Sequence, residues 1–273
     1  ARGLEPAGSQ SGNVADPVTA SGTVGFSSPD GVQTVSLGGH VLTGTAQTFA
    51  DGTTGQLTAS YSYDASTGLG TISYSYTLID NTLTDPSSAS FAVVVTDADG
   101  DSATPGNLVI TIVDDVPTAN PDGNSDGAGI HTAITGNVVT GANETDPTAD
   151  ADVKGADGVS VTSAYGTGAA QPVGTNTVIA GQYGTLTLSS DGSYSYVRSA
   201  NTAGGVSDVF NYTLTDGDGD QSSTTLTISI GDSTPTDTIP AAGGTDTIVY
   251  EAGLAARGLE PAGSQSGNVA DPV

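Results

Sequence analysis

The chain has 273 residues and carries 30 Asp and Glu against 4 Lys and Arg, a formal charge of -26; the length suits about two domains. Such a surplus repels phosphate backbones and anionic lipid, which excludes a nucleic-acid partner, and it repels itself unless cations sit among the carboxylates. With no Cys and no Met, disulfides and thiol chemistry are excluded and any staple has to be a metal; no apolar run reaches the length for membrane insertion.

Ala1–Val18 (ARGLEPAGSQSGNVADPV) returns letter for letter as Ala256–Val273, 255 residues further on (256 - 1). The chain therefore reads as one period of a tandem array plus the opening of the next. That organisation favours reach and copy number, which suits a stalk or fibre better than an enzyme.

Thirty-nine Gly, abundant Thr and Ser, and few Lys or Glu point to short strands and tight turns. Ala20–Ser27 and Val32–Leu37, flanking Ser28-Pro-Asp-Gly31, read as a hairpin. Gly55–Tyr63 and Gly70–Leu78 form a second pair, with Ile72, Tyr74, Tyr76 and Leu78 on one face. Phe91–Thr96 and Leu108–Val113 form a third, closed by Asp114-Asp115-Val116-Pro117. The design recurs: Phe210, Tyr212 and Leu214 lead to Asp216, and Leu226, Ile228 and Ile230 return to Asp232. Gly184–Ser189 and Gly192–Val197 pair over an Asp-Gly turn, and the acidic segment Asn143–Gly158 reads as a loop. Ser233–Thr245, rich in Thr, Pro, Ala and Gly, marks a linker, and Asp246–Gly253 (DTIVYEAG) is apolar again.

The expected architecture is all-β, tandem antiparallel Ig-like or cadherin-like β-sandwiches. Residues 1–116 form the first and 117–232 the second, 233–245 the linker, and 246–273 the start of the next copy. In a continuous array Asp246–Gly253 is the next copy's first strand. The first sandwich here is expected to lack its own, leaving an edge open to a neighbouring chain.

Asp97, Asp99 and Asp101, and again Asp216, Asp218 and Asp220, alternate as at the opening of an EF-hand loop. Ser102 and Gln221 replace its sixth-position Gly, and Leu108 and Thr227 its last Glu, so neither is an EF-hand. Three like charges in one turn are unfavourable without a cation, and the expected ion is Ca2+. Asp97–Asp101 stands a strand of about 20 Å from Asp114 and Asp115. Stacked head to tail, however, Asp114 and Asp115 meet Asp216, Asp218 and Asp220 of the next sandwich. Asp232, with Asp237 or Asp246, then faces the following copy's equivalents of Asp97, Asp99 and Asp101. Asp122, Asp126, Glu144, Asp146, Asp150, Asp152 and Asp157 are weaker candidates. His40 and His131 stand alone, without zinc partners. Asp pairs on hairpin tips, with no Trp to line a sugar cleft, do not make a glycosidase.

Phe91–Pro117 (FAVVVTDADGDSATPGNLVITIVDDVP), Thr135–Thr140 with its acidic loop, and Gly184–Asp220 resemble the repeat modules of giant bacterial adhesins secreted by type I systems. These are the RTX adhesins, with Ig-like and cadherin-like (VCBS-type) repeats. The resemblance implies an extracellular, calcium-loaded extender holding an adhesive tip away from the cell in attachment or biofilm formation. Its partners would be neighbouring repeats of the same chain, with end-to-end or lateral self-association. The glycine-rich nonapeptide of RTX β-rolls is absent, so only the extender is implied. The alternative is a calcium-dependent carbohydrate- or protein-binding module.

Overall fold

The computed structural model describes residues 18–82, 87–114, 116–129, 132–145 and 151–249, and no described residue is helical. The chain divides into two compact units, Ala1–Asp232 and Ser233–Val273, and every strand among the described residues lies in the first.

The first eight strands are β1 (Thr19–Ser27), β2 (Thr34–Leu37), β3 (His40–Val41), β4 (Gln47–Asp51), β5 (Gly55–Asp64), β6 (Leu69–Leu78), β7 (Ser87–Thr96) and β8 (Gly106–Ile112). They make two antiparallel sheets, ordered β1-β6-β5-β4 and β3-β2-β7-β8. Alternation puts Leu57, Ile72 and Tyr76 of one sheet against Val35, Leu37, Phe91, Val95 and Ile110 of the other, all buried in one core. Each such side chain contributes about 1.5–3 kcal/mol by leaving water.

One expected pairing is corrected. Thr19–Ser27 pairs with β6 along its whole length, from Thr19 opposite Thr77 to Ser27 opposite Leu69, whereas Thr34–Leu37 pairs with β7. The Ser28–Gly31 turn is thus no hairpin but a corner between the sheets. Ser28 N–H donates to Gly68 O at 2.8 Å on one side, and Gln33 N–H donates to Thr96 O at 2.8 Å on the other. Val24 and Phe26 then pack across the core from Val35 and Leu37, burying apolar faces that a two-stranded ribbon would leave wet.

The next nine strands are β9 (Asp122–Asp126), β10 (Ile134–Asn137), β11 (Ser160–Tyr165), β12 (Gln171–Pro172), β13 (Thr177–Ala180), β14 (Gly184–Leu188), β15 (Ser193–Arg198), β16 (Val206–Thr215) and β17 (Gln221–Ile230). Their sheets are β10-β15-β14-β13 and β12-β11-β16-β17-β9, enclosing a second core with Leu186, Tyr196, Phe210, Leu214 and Ile228 at its centre. The all-β expectation holds, with one departure from an antiparallel plan: β9 runs parallel to β17.

The two sandwiches repeat in register. Phe91 faces Leu108 as Phe210 faces Leu226. Ser-Tyr-Ser-Tyr occurs on β6 (Ser73–Tyr76) and on β15 (Ser193–Tyr196), and in each the second Tyr ring lies over a glycine. A Cβ on Gly55 would stand 2.1 Å from the Tyr76 hydroxyl, and one on Gly184 2.3 Å from that of Tyr196. The ring fills the space that glycine leaves, which explains the residue choice.

Of the second unit, Ser233–Thr247 is exposed throughout and holds only turns. Asp246–Val249 carries no strand; Tyr250–Gly253 lies outside the described residues.

Candidate metal centre

The two Asp turns are built alike. Asp97 Oδ1 accepts Gly100 N–H at 3.1 Å and Asp101 N–H at 2.8 Å. Asp216 Oδ1 accepts Gly219 N–H at 3.0 Å and Asp220 N–H at 2.7 Å. Gly100 and Gly219 sit at φ 99° and 112°, a left-handed conformation that only glycine adopts freely. The turn therefore spends one carboxylate oxygen on its own amides and turns the remaining carboxylates together. Within each triplet, one oxygen from each Asp lies within 4.8 Å of the others.

Their surroundings differ. Asp99 and Asp101 are exposed, whereas Asp216, Asp218 and Asp220 are half-buried. Bonding to Asp99 and to the Asp101 and Gly100 amides holds Asp97 below the usual carboxylate range, while Asp97 pushes Asp99 up. In the second turn burial, then the Asp218 carboxyl, pushes Asp216 up. Both oxygens of Asp218 and Oδ2 of Asp216 are buried without a hydrogen-bond partner.

What covers the second turn is the end of the first sandwich. Asp114, just beyond β8, Asp157 from the acidic segment and Asp218 bring carboxylate oxygens within 4.8 Å of one another. Asn81, from the loop after β6, donates to Asp157 Oδ1, so two segments of the first sandwich reach this point. Asp218 belongs to both groups. Three carboxylate groups among the described residues are thus placed to hold a metal ion, and their all-oxygen donor set suits a hard divalent cation.

Of the residues singled out in the sequence, Asp114 and Asp218 come together, and Asp157, one of the weaker candidates, joins them. Asp115, Asp146, Asp150 and His131 lie outside the described residues. Asp232 stands apart from these groups, against Gly204. His40 stacks on Phe49 with ring centroids 4.0 Å apart. Asp157 joins the junction from a segment whose composition reads only as an acidic loop, and nothing in its spacing picks it out from its neighbours.

A second carboxylate cluster lies inside the second sandwich. Asp122 is 4% and Asp152 7% exposed. The Tyr212 hydroxyl lies 2.6 Å from Asp122 Oδ2 and 3.1 Å from Asp152 Oδ2, and Asn120 N–H donates to Asp152 Oδ1 at 2.7 Å. Burial pushes Asp122 up to about 9, with Glu144 and Asp152 adding to it, and Asp152 up to about 6. Asp208, by contrast, is satisfied: it accepts Gln182 N–H at 2.7 Å, Tyr183 N–H at 3.0 Å and the Tyr196 hydroxyl at 2.7 Å.

No protein-family model and no curated protein matches the chain. Among solved structures, an endo-fucoidan hydrolase from glycoside hydrolase family 107 is 15% identical over 77% of this chain and 31% of its own, at TM-score 0.24. A Bacteroides ovatus protein of a mixed-linkage glucan utilization locus, in complex with a heptasaccharide, is 14% identical over 76% of this chain and 42% of its own, at TM-score 0.17. The zebrafish RET cadherin-like domains 1 to 4 are 11% identical over 76% of this chain and 46% of their own, at TM-score 0.23. The chain thus spans under half the length of each, and likenesses this slight decide nothing about function.

Proposed function

We propose that the chain is an extender segment of a secreted, repetitive cell-surface fibre or adhesin, made of tandem β-sandwiches whose junction is locked by calcium. The observation that carries this reading is the meeting of Asp114, Asp157 and Asp218 within 4.8 Å, across the step from one sandwich to the next. Three carboxylates so close repel one another unless a cation lies between them, and at an effective dielectric of about 20 a pair of unit charges ~4 Å apart repels by about 4 kcal/mol. A divalent ion turns that repulsion into a clamp. The letter-for-letter return of Ala1–Val18 at Ala256–Val273 supports a stalk in which this junction recurs, and the lack of Cys leaves a metal as the staple. An adhesive tip, if the fibre bears one, belongs to another part of it.

Small-angle scattering and thermal melting of this chain with calcium, with chelator, and with Asp218→Ala test the proposal. Calcium should lengthen the maximum dimension and raise the melting temperature, and both gains should vanish in the variant. Identical values in all three samples would overturn it. The exposed Asp97–Asp99–Asp101 turn favours a second reading, a calcium-dependent carbohydrate- or protein-binding module, because an ion there would keep ligand positions open to solvent. Calcium-dependent retention on a glycan array, lost in Asp99→Ala, would support that reading instead.

A further inference from the structure

The two sandwiches share a plan but differ at one edge. Because Phe91 faces Leu108 and Phe210 faces Leu226, β8 and β17 are equivalent strands, with Leu108, Ile110 and Ile112 in the places of Leu226, Ile228 and Ile230. The outer side of β17 is covered by β9, in parallel, from Leu226 opposite Asp122 to Ile230 opposite Asp126. Among the described residues no strand pairs with the outer side of β8. Burial records the difference. Leu226, Ile228 and Ile230 are 1%, 0% and 3% exposed, whereas Ile110 is 8% exposed and Leu108 and Ile112 are only half-buried.

This edge of β8 is also undefended. Its sequence, GNLVITI, contains no charge, no Pro and no bulge, the devices that keep exposed strand edges from pairing. The edge of β1 is a different matter, since its equivalent β10 is likewise an end strand of its sheet and an open edge there belongs to the shared plan.

The sequence holds a second segment that matches β9. Asp246-Thr-Ile-Val-Tyr-Glu-Ala-Gly253 agrees with Asp122-Gly-Asn-Ser-Asp-Gly-Ala-Gly129 at three of eight places, the opening Asp and the closing Ala-Gly. Since Ala256–Val273 repeats Ala1–Val18, the segment stands just upstream of each new period. In the register of β9, Asp246 falls opposite Leu108, Ile248 opposite Ile110 and Tyr250 opposite Ile112. Asp122, Asn124 and Asp126 of β9 are the positions buried in the sandwich. Their counterparts Ile248 and Tyr250 would cover the half-exposed end of the first core with apolar surface.

We propose that β8 is a docking edge for the Asp246–Gly253 segment of a neighbouring copy of this repeat, added as a parallel strand. The donor is the preceding period in a continuous array and a second molecule when the chain stands alone. Each period would then complete the next, so that strand exchange, independent of any cation, holds successive periods together. The inference rests on the tandem organisation and not on the calcium clamp.

The test compares this 273-residue chain with one in which residues 246–255 are also placed directly before Ala1, both in chelator. The upstream segment should raise the melting temperature of the first sandwich by about 5 °C or more and suppress self-association in analytical ultracentrifugation. The same segment carrying Ile248→Asp and Tyr250→Asp should do neither. In the 273-residue chain, Val109→Cys with Thr247→Cys, opposite one another in the parallel register, should yield disulfide-linked dimers under mild oxidation. Thr111→Cys with Thr247→Cys, two residues out of register, should yield far fewer. A melting temperature unmoved by the upstream segment, or linkage confined to single chains, would overturn the proposal.

Discussion

Asp114, at the end of the first sandwich, and Asp218, at a hairpin tip of the second, hold carboxylate oxygens within 4.8 Å of each other. Asp218 has no hydrogen-bond donor on either oxygen, so nothing in its surroundings offsets its charge through a donated proton. Asp157 completes the group and is itself held by Asn81. The junction thus gathers like charges from both sandwiches.

Their mutual repulsion predicts an effect of opposite sign with and without cation. In chelator, Asp218→Asn removes one member of the repelling group and should stabilise the chain by about 1 kcal/mol, a half-exposed site being partly screened. At about 100-fold excess of calcium over its dissociation constant, the wild type should gain ~2.7 kcal/mol per site and the variant little. Melting curves of both proteins in both buffers decide it; a shift of the same sign in both would count against a cation at this junction.

The tyrosine-over-glycine pairs predict a second set of outcomes. Gly184→Ala puts a methyl 2.3 Å from the Tyr196 hydroxyl, which also bonds buried Asp208 at 2.7 Å. The ring cannot shift without breaking that bond, so the change should cost about 1–3 kcal/mol, read as a lower melting temperature of the second sandwich. Gly25→Ala, whose Cβ would meet nothing within 4 Å, is the control and should change little. Equal losses in the two variants would refute the packing argument.

The period-two faces of β6, β7, β8, β16 and β17 were legible in the sequence because each strand buries one side and wets the other. So were the paired Asp turns, since alternate carboxylates beside Gly leave few other readings. The corner at Ser28–Gly31 was not: Pro-Asp-Gly reverses the chain equally well within one sheet or between two, and only the partners β6 and β7, far off in sequence, decide. Strand β9 was hidden for another reason. Its buried side chains include Asp122, Asn124 and Asp126, polar residues that carry no hydrophobic alternation; Asp122 accepts from Tyr212 and Asn124 donates to Tyr194, partners far off in sequence. Asp157 was legible only as one of several weaker acidic candidates, because its role is set by the neighbouring sandwich.

Protease susceptibility should differ sharply along the chain. Pro117 is buried, and Thr118 and Val153 exchange backbone hydrogen bonds of 2.9 Å, which ties the entry of the second sandwich to its acidic segment. Ser233–Thr247 is exposed throughout and holds only turns, the kind of backbone that enters a protease cleft without unfolding. Brief digestion with a broad-specificity protease, followed by mass spectrometry, should cut there first. Earlier cleavage between Val113 and Ala119 would contradict this.

The buried carboxylates give the second sandwich a pH dependence whose sign follows from their environment. In the unfolded chain Asp122 and Asp152 ionise near ~3.9. In the fold burial pushes Asp122 up to about 9 and Asp152 up to about 6, so the native state favours their neutral forms. Glu144 adds repulsion to both, Lys154 only partly relieves Asp152, and the Tyr212 hydroxyl favours ionised Asp122 without offsetting its burial. A raised value means that the contribution is fully present below the unfolded value and is lost as pH rises through the folded one. Without cation, the second sandwich should therefore weaken between pH ~4 and ~9, both carboxyls contributing from pH ~4 and the loss from Asp152 being complete near its folded value of about 6. Each tenfold change in proton affinity is worth ~1.4 kcal/mol, so Asp152 alone accounts for about 2–3 kcal/mol. Self-repulsion of a chain with formal charge -26 acts in the same direction, and the variant Asp122→Asn separates the two. It keeps an oxygen for the Tyr212 hydroxyl but cannot ionise, so its melting temperature should fall less steeply with pH and exceed that of the wild type at pH 8. Parallel curves for the two proteins from pH 4 to 9 would show that these carboxylates do not control the stability of the second sandwich.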